Sequence, residues 1–382
     1  MRILLLSAYD AQSHQHWRKL LVEQMGEHQW SVLTLPGRFF SWRIRGNSMS
    51  WAFGEAREIL SRDYDLLIAT SMTDLSALRG FIPELARIPT LVYFHENQFA
   101  YPLEAQARAG VEPQILNIYT ALCADFIAFN SHYNRDSFLS GAAKLLKKLP
   151  DQVPSNCLTQ LRENSHVLPV PLANATQSEH AEIPWQRYAG TPLTERPLLI
   201  SWAARWEYDK GPGELLATVE ALEKKGVDYR LCILGQQFRH SPDQFEQLQR
   251  HFGHRIDQFG FAQSQAQYRQ WLSCSDIFLS TALHEFQGLS VLEAVQLGCI
   301  PCLPKRLVYP ELFSDAYLYE GSKNTLCEGE NAAQRIITQR SQRLAGELSV
   351  PHMPFQWAQL AASYRDAFTQ CCSNFTRGTK AL

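Results

Sequence analysis

The feature that most constrains this chain is a regular alternation. Apolar runs of four to six residues are each followed by a longer amphipathic stretch. Strands buried on both faces of a parallel sheet read as continuous apolar runs, and the crossover between two parallel strands needs a helix. The pattern therefore predicts β-α-β units rather than a sandwich or a helical bundle. In the first half the predicted strands are Arg2–Leu6, Trp30–Leu35, Asp65–Ala69, Thr90–Phe94, Asp125–Phe129 and His166–Val170. Helical patterns separate them, among them His14–Gly26, Ser50–Arg62 and Pro113–Cys123. The strands end in polar or small residues: Ser7-Ala8-Tyr9, Thr70-Ser71, His95-Glu96-Asn97 and Asn130-Ser131. Open parallel sheets bind ligands outside the carboxyl ends of their strands, so a site is expected there.

A polar, Pro-containing stretch without a sustained period interrupts the series, and a second series follows. Its strands are Leu198–Ala203, Tyr229–Leu234, Ile256–Phe259, Asp276–Ser280 and Ile300–Leu303, with helices over Gly213–Lys225, Asp243–His251 and Ser264–Ser273. The length of 382 residues suits two domains of roughly 180 residues each. The expected division is a Rossmann-like acceptor-side domain over 1–175, a linker over 176–196, a Rossmann-like donor-side domain over 197–354 and a C-terminal helix over 355–382. The fold class expected is α/β, with two doubly wound domains facing across a cleft and the last helix able to cross back to the first domain.

A hydrophobic fraction of 45% with 19% charged residues excludes disorder and coiled coil. The net charge of −2 gives no global field for nucleic acid, so any RNA contact must come from a local patch. No stretch approaches the run of about 18 to 20 apolar residues needed for a membrane span, and the opening Met1–Ser7 run is too short for a signal peptide. The nine cysteines are scattered, and Cys299-x-x-Cys302, without a second pair, reads as buried thiols. A cytoplasmic protein is expected, its oligomeric state open.

Three segments carry chemistry. Arg205 and Lys210 leave a strand end and open a helix; a planar fork and a point charge together suit a diphosphate. The second segment, Ser280 to Ala294, carries Glu285 on a loop and Glu293 within the helix that follows. The amides of Gly288, Leu289 and Ser290 at that helix start favour phosphate. Glu285 would accept from a sugar hydroxyl and Glu293 from a ribose. Phe286 and Gln287 lie in the same loop; Gly235 and Phe261, at strand ends, are candidates for the base pocket. In the third segment, Tyr93 to Pro102, polar groups including His95 and Asn97 alternate with aromatics, which suits sugar recognition. No cofactor and no metal are expected: cations and amides can hold the phosphates, and no Asp-x-Asp is expected to hold a divalent ion. Arg38, Trp42, Arg43 and Arg45 combine cations and an aromatic as single-stranded RNA binders do, although a solvated loop over packed aromatics has the same composition.

These residues carry a resemblance. Arg205-x4-Lys210 and Glu285-x7-Glu293 look like the signature of retaining GT-B glycosyltransferases of the family 4 type. The strings SAYDAQSHQHW, LPGRFFSWRIRGN, YFHENQFAYP, FNSHYNRDSFL, ARWEYDKGP, STALHEFQGLSVLEAVQLGC and PKRLVYPELF resemble the tRNA-queuosine mannosyltransferases. The resemblance implies transfer of mannose from GDP-mannose to the cyclopentenediol of queuosine in a tRNA anticodon. It implies a front-side route, with Arg205 and Lys210 stabilising the departing diphosphate, His95 on the donor sugar and Glu285 on its 3- or 4-hydroxyl. The first loop lacks the Gly-Gly pair of many relatives, so Ser13 and His14 would have to approach the donor phosphate. A lipid or saccharide acceptor, and a sugar-nucleotide or RNA binder without turnover, are the rival readings. So is a phosphorylase or epimerase on the same fold.

Overall fold

The computed structural model describes residues 1–101, 110–149, 151–154, 156–173, 181–236 and 241–380, with side chains to 376. The predicted linker thus lies partly outside the described residues. The chain forms two compact units, Met1–Ala173 with Phe355–Leu382, and Asn174–Pro354.

The first unit is built on β1 (Arg2–Asp10), β2 (Gln29–Pro36), β3 (Leu66–Thr70), β4 (Thr90–Phe94), β5 (Phe126–Phe129) and β6 (Ser165–Val167). They form a parallel sheet in the order β2-β1-β3-β4-β5-β6. Its main helices are α1 (Gln12–Gln24), α2 (Phe40–Ala52), α3 (Leu75–Phe81), α4 (Glu112–Leu122), α5 (His132–Lys148) and α6 (Asn156–Glu163). β3 and β4 are buried at every position, which is why they read as unbroken apolar runs.

The second unit holds β7 (Leu198–Ala203), β8 (Tyr229–Leu234), β9 (Ile256–Gly260), β10 (Ile277–Leu279), β11 (Ile300–Pro304) and the short β12 (Leu318–Tyr319). Their order is β12-β11-β10-β7-β8-β9, again parallel. α7 (Pro212–Lys224), α8 (Gln244–Phe252), α9 (Gln265–Ser273), α10 (Leu289–Gln296) and α11 (Thr325–Leu344) are its main helices. The final helix, α12 (Trp357–Lys380), belongs to the first unit. There the Tyr364 hydroxyl accepts from Trp17 Nε1 at 3.0 Å and donates to the Pro169 carbonyl at 3.0 Å. Backbone pairing of Leu172 with Gln356 leads the chain into that helix.

One expected helix is displaced. The pattern predicts Ser50–Arg62, whereas α2 covers Phe40–Ala52 and gives way to the short helical turn Arg57–Leu60. The cause is that α2 buries Arg43, Gly46, Asn47 and Ser48 beside Ile44 and Trp51, so its inner face has no apolar period to detect. The 40–45 segment, for which a solvated loop is the alternative reading, is therefore helical. Cys299 and Cys302 are free and fully buried, as the sequence reading expects.

Candidate functional site

In the second unit the sheet order reverses between β7 and β10, whose outgoing loops pass to opposite faces and leave a crevice at the carboxyl edge. Residues 204–211 form one loop and 280–288 the other. Lys210 joins them. Its Nζ donates to the His284 carbonyl at 2.9 Å and to Glu285 Oε2 at 3.3 Å, and lies 3.4 Å from Asp209 Oδ2. Burial disfavours that ammonium, but Glu285 and Asp209 outweigh it and raise the Lys210 pKa. Burial would likewise raise Glu285, yet Lys210 and His284 hold it below the usual carboxylate range. Asp209 is brought down to about 2, because a hydrogen bond from His284 and the charges of Lys210 and Arg205 overcome its burial. The crevice thus carries fixed charges that neutral pH does not move.

The two loops are strapped by their backbones. The Leu283 and His284 amides both donate to the Asp209 carbonyl, at 2.9 and 3.0 Å. The Thr281 hydroxyl donates to the Lys210 carbonyl at 2.8 Å and accepts from Trp202 Nε1. At Gly211 the backbone has φ +67°, and a Cβ would stand 2.0 Å from the Thr281 carbonyl oxygen, so this turn needs glycine. Arg306 supports the strap from behind: it donates to the Ala282 and Thr281 carbonyls and pairs with the buried Glu328 at 2.7 and 2.8 Å.

The other second-unit candidates fall around this centre. Arg205 is half exposed and paired with Glu207 at 2.9 Å, an arrangement weak enough to exchange for a ligand. Glu285 Oε1 accepts from the Phe286 amide at 3.1 Å. Gly288 caps α10 at φ +76°, and Leu289 is the first residue of that helix. Phe286 and Gln287 are buried. Glu293 accepts from the Tyr268 hydroxyl at 3.1 Å. A Cβ at Gly235 would stand 1.8 Å from the Ala204 carbonyl, so the base-pocket candidate is also required for the close approach of two loops. Phe261 is exposed. Lys210, Glu285, Ser290, Ser280, Tyr309 and Ala204 line a small pocket between the loops.

In the first unit the order reverses between β1 and β3, and His95 follows the adjacent β4. Its ring stacks on His14 at 4.1 Å and meets Trp17 edge-on at 4.9 Å. His14 is fully buried, with Nε2 3.6 Å from Glu96, so it supports His95 from below; Ser13 is half-buried beside it. His95 Nε2 finds no hydrogen-bond partner among the described residues. Asn97 is buried and internally bonded: it donates to Asn134 and Ser137 and accepts from the Phe99 and Ala100 amides, bracing the loop. On α2, Trp42 is exposed and lies flat over Gly46, Arg45 is held by Asp74 and Glu112, and Arg38 stands over the Phe39 ring. Arg43 is buried. The chain's Asp-x-Asp, Asp63-Tyr64-Asp65, sits at the amino end of β3, where Asp65 accepts from the Arg2 amide at 2.7 Å.

Burial, with His14 and His16 adding to it, holds the His95 pKa well below 6.5. The unfolded chain therefore takes up a proton near pH 6.5 that the folded chain refuses. Stability is full above that pH and falls as pH drops below it, by about 1.4 kcal/mol per unit for one proton. His95→Phe is expected to flatten the decline of the urea midpoint between about pH 7 and 5. An unchanged slope would assign the proton elsewhere.

Sequence reasoning missed Asp209, His284, Tyr268 and Arg306. Asp209 adjoins Lys210, and its acidity beside a strand-end lysine was the available signal; the partners of the others lie 22 or more residues away and left none.

Comparison with known proteins agrees with this geometry. Residues 2–172 match a family model described as tRNA-queuosine alpha-mannosyltransferase N-terminal, and residues 189–337 one described as glycosyl transferases group 1. The tRNA-queuosine alpha-mannosyltransferase of Drosophila melanogaster is 31% identical over 330 residues, 84% of each chain. The GDP-mannose:cellobiosyl-diphosphopolyprenol alpha-mannosyltransferase of Xanthomonas oryzae pv. oryzae is 28% identical over 120 residues, 31% of each chain. Among solved structures, the sucrose-phosphate synthase of Thermosynechococcus elongatus superposes with a TM-score of 0.66 at 13% identity, covering 97% of this chain and 99% of the other. That likeness shows the fold, which is GT-B. With matched models over both sheets and a relative aligned along most of its length, the chain belongs to the tRNA-queuosine alpha-mannosyltransferase family and is a glycosyltransferase.

Proposed function

We propose that this enzyme transfers mannose from GDP-mannose, with retention, to the cyclopentenediol of queuosine in tRNA. The observation that carries the donor half is Lys210, a part-buried ammonium fixed between two carboxylates at the switch point of the second sheet. Such a charge needs no reorganisation as negative charge builds on a departing diphosphate. In this reading Arg205 leaves Glu207 for the phosphates, the start of α10 adds amide donors, and Glu285 keeps a lone pair for a sugar hydroxyl. Glu293, oriented by Tyr268, receives a ribose hydroxyl. His95 offers its neutral ring to a sugar hydroxyl, and Ser13, Asn97 and Phe261 remain proposed donor contacts. Family membership and the donor named for the Xanthomonas relative support mannose and guanosine. The acceptor RNA is assigned to α2 and its approach, with Trp42 as a stacking surface and Arg38, Arg43 and Arg45 as cations.

The test is incubation of the protein with queuosine-containing tRNA and a panel of nucleotide sugars, followed by nucleoside mass spectrometry. A hexose gain on queuosine is expected with GDP-mannose, undiminished by a chelator. Turnover of GDP-mannose with no gain on the tRNA would move the acceptor to a lipid or saccharide. No release of GDP under any condition would leave a binder.

A further inference from the structure

Arg43 is carried on the face of α2 that meets the switch point of the first sheet. Phe40 meets the Tyr9 ring edge-on at 5.8 Å, Ile44 packs with Met72 and Leu116, and Asn47 donates to the Met72 carbonyl and accepts from the Asp74 amide. Residues 40, 43, 44 and 47 share that side of a helix. Arg43 is 8% exposed, its Nε is a buried donor without an acceptor, and its guanidinium forms no ion pair or hydrogen bond with any described residue. An arginine cannot shed its proton, and a buried charge is strongly unfavourable unless an anion meets it. On the segment that Asn47 touches, the Ser71 and Thr73 hydroxyls are also buried without partners, as is Thr70 at the end of β3. The neighbouring cations differ. Arg45 is neutralised by Asp74 and Glu112, and Arg38 is held over Phe39.

We infer that Arg43 is the seat of a substrate phosphate, its guanidinium fork taking the anionic oxygens. This deepens the proposed function and rests on it for the phosphate's carrier, an RNA backbone or a nucleotide donor. It does not rest on it for the ion.

Three arms test it, using the full chain. In the first, sodium phosphate is compared with sodium chloride at equal ionic strength; phosphate raises the Tm of the wild type and leaves that of Arg43→Met unmoved. The second measures tRNA affinity, which Arg43→Met lowers by about 10- to 100-fold, with the salt slope reduced by about 0.7 to 0.9. The third measures GDP affinity. Weakening in the tRNA arm alone assigns a backbone phosphate, and weakening in the GDP arm alone assigns the nucleotide. A structural arginine predicts a different result: Arg43→Met would lose Tm in plain buffer, whereas removal of an unpaired buried charge leaves Tm equal or higher. Loss of Tm, or unchanged affinity in both binding arms, overturns the inference. Should Arg43→Met fail to fold, Arg43→Lys keeps the charge, and a wild type without phosphate stabilisation overturns it equally. Failure of the queuosine assay with phosphate stabilisation intact would count against the acceptor alone.

Discussion

Replacing Lys210 by alanine is expected to lower kcat by about 10²- to 10³-fold, the range for loss of one preorganised charge-stabilising donor. The ammonium ties the two loops of the second-unit crevice through the His284 carbonyl and Glu285, with Asp209 beside it. Its removal leaves two carboxylates facing each other across a partly buried space, and breaking such an arrangement destabilises by about 3–5 kcal/mol. Rate and stability therefore fall together, and a second variant separates them. Lys210→Met with Asp209→Asn removes one of the orphaned charges and should recover much of the folding loss while the rate stays low. Lys210→Arg is not a conservative change here, because a planar fork cannot reproduce a point charge between three acceptors. Steady-state kinetics beside urea unfolding decides the matter: a double variant regaining both stability and kcat would make Lys210 a folding residue only.

What the sequence made legible follows the physics of each element. β1, β4 and β7 were plain because a strand buried on both faces has no choice but to be apolar. The positions of Arg205, Lys210 and Glu285 were plain because strand ends are where a parallel sheet exposes function. α2 was misplaced because its inner face carries Arg43, Asn47 and Ser48, and a helix that buries polar groups gives no apolar period. The direct tie of Glu285 to Lys210 spans 75 residues, and that of Glu328 to Arg306 spans 22. No local spacing reports either, since each arises only once neighbouring strands are in register. His14 shows the remaining limit. A histidine opening a helix after a strand looks like a phosphate contact, yet its ring is fully buried against His95.

Arg306→Met is expected to destabilise the fold by about 3–5 kcal/mol, although Arg306 is not placed among the ligand-binding residues. Glu328 is 1% exposed and accepts from both terminal nitrogens of Arg306, with the Ser322 amide at 2.8 Å as its remaining donor. Without the guanidinium that carboxylate is a buried charge with one hydrogen bond. Glu328→Met should be comparably harmful, because it strands the arginine instead. The double variant Arg306→Met/Glu328→Met should recover most of the loss, since two apolar side chains of similar volume are well tolerated where an ion pair stood. Activity should not recover with it. The Ala282 and Thr281 carbonyls would lose the donors that hold the 281–285 loop, and with it the His284 carbonyl and Glu285 that fix Lys210. A positioning role therefore predicts a stable double variant with depressed kcat, read by unfolding curves and kinetics on the same preparation. If the double variant is both stable and fully active, the strap behind the loop serves folding alone, and the loop geometry is set by the Asp209 carbonyl and Gly211.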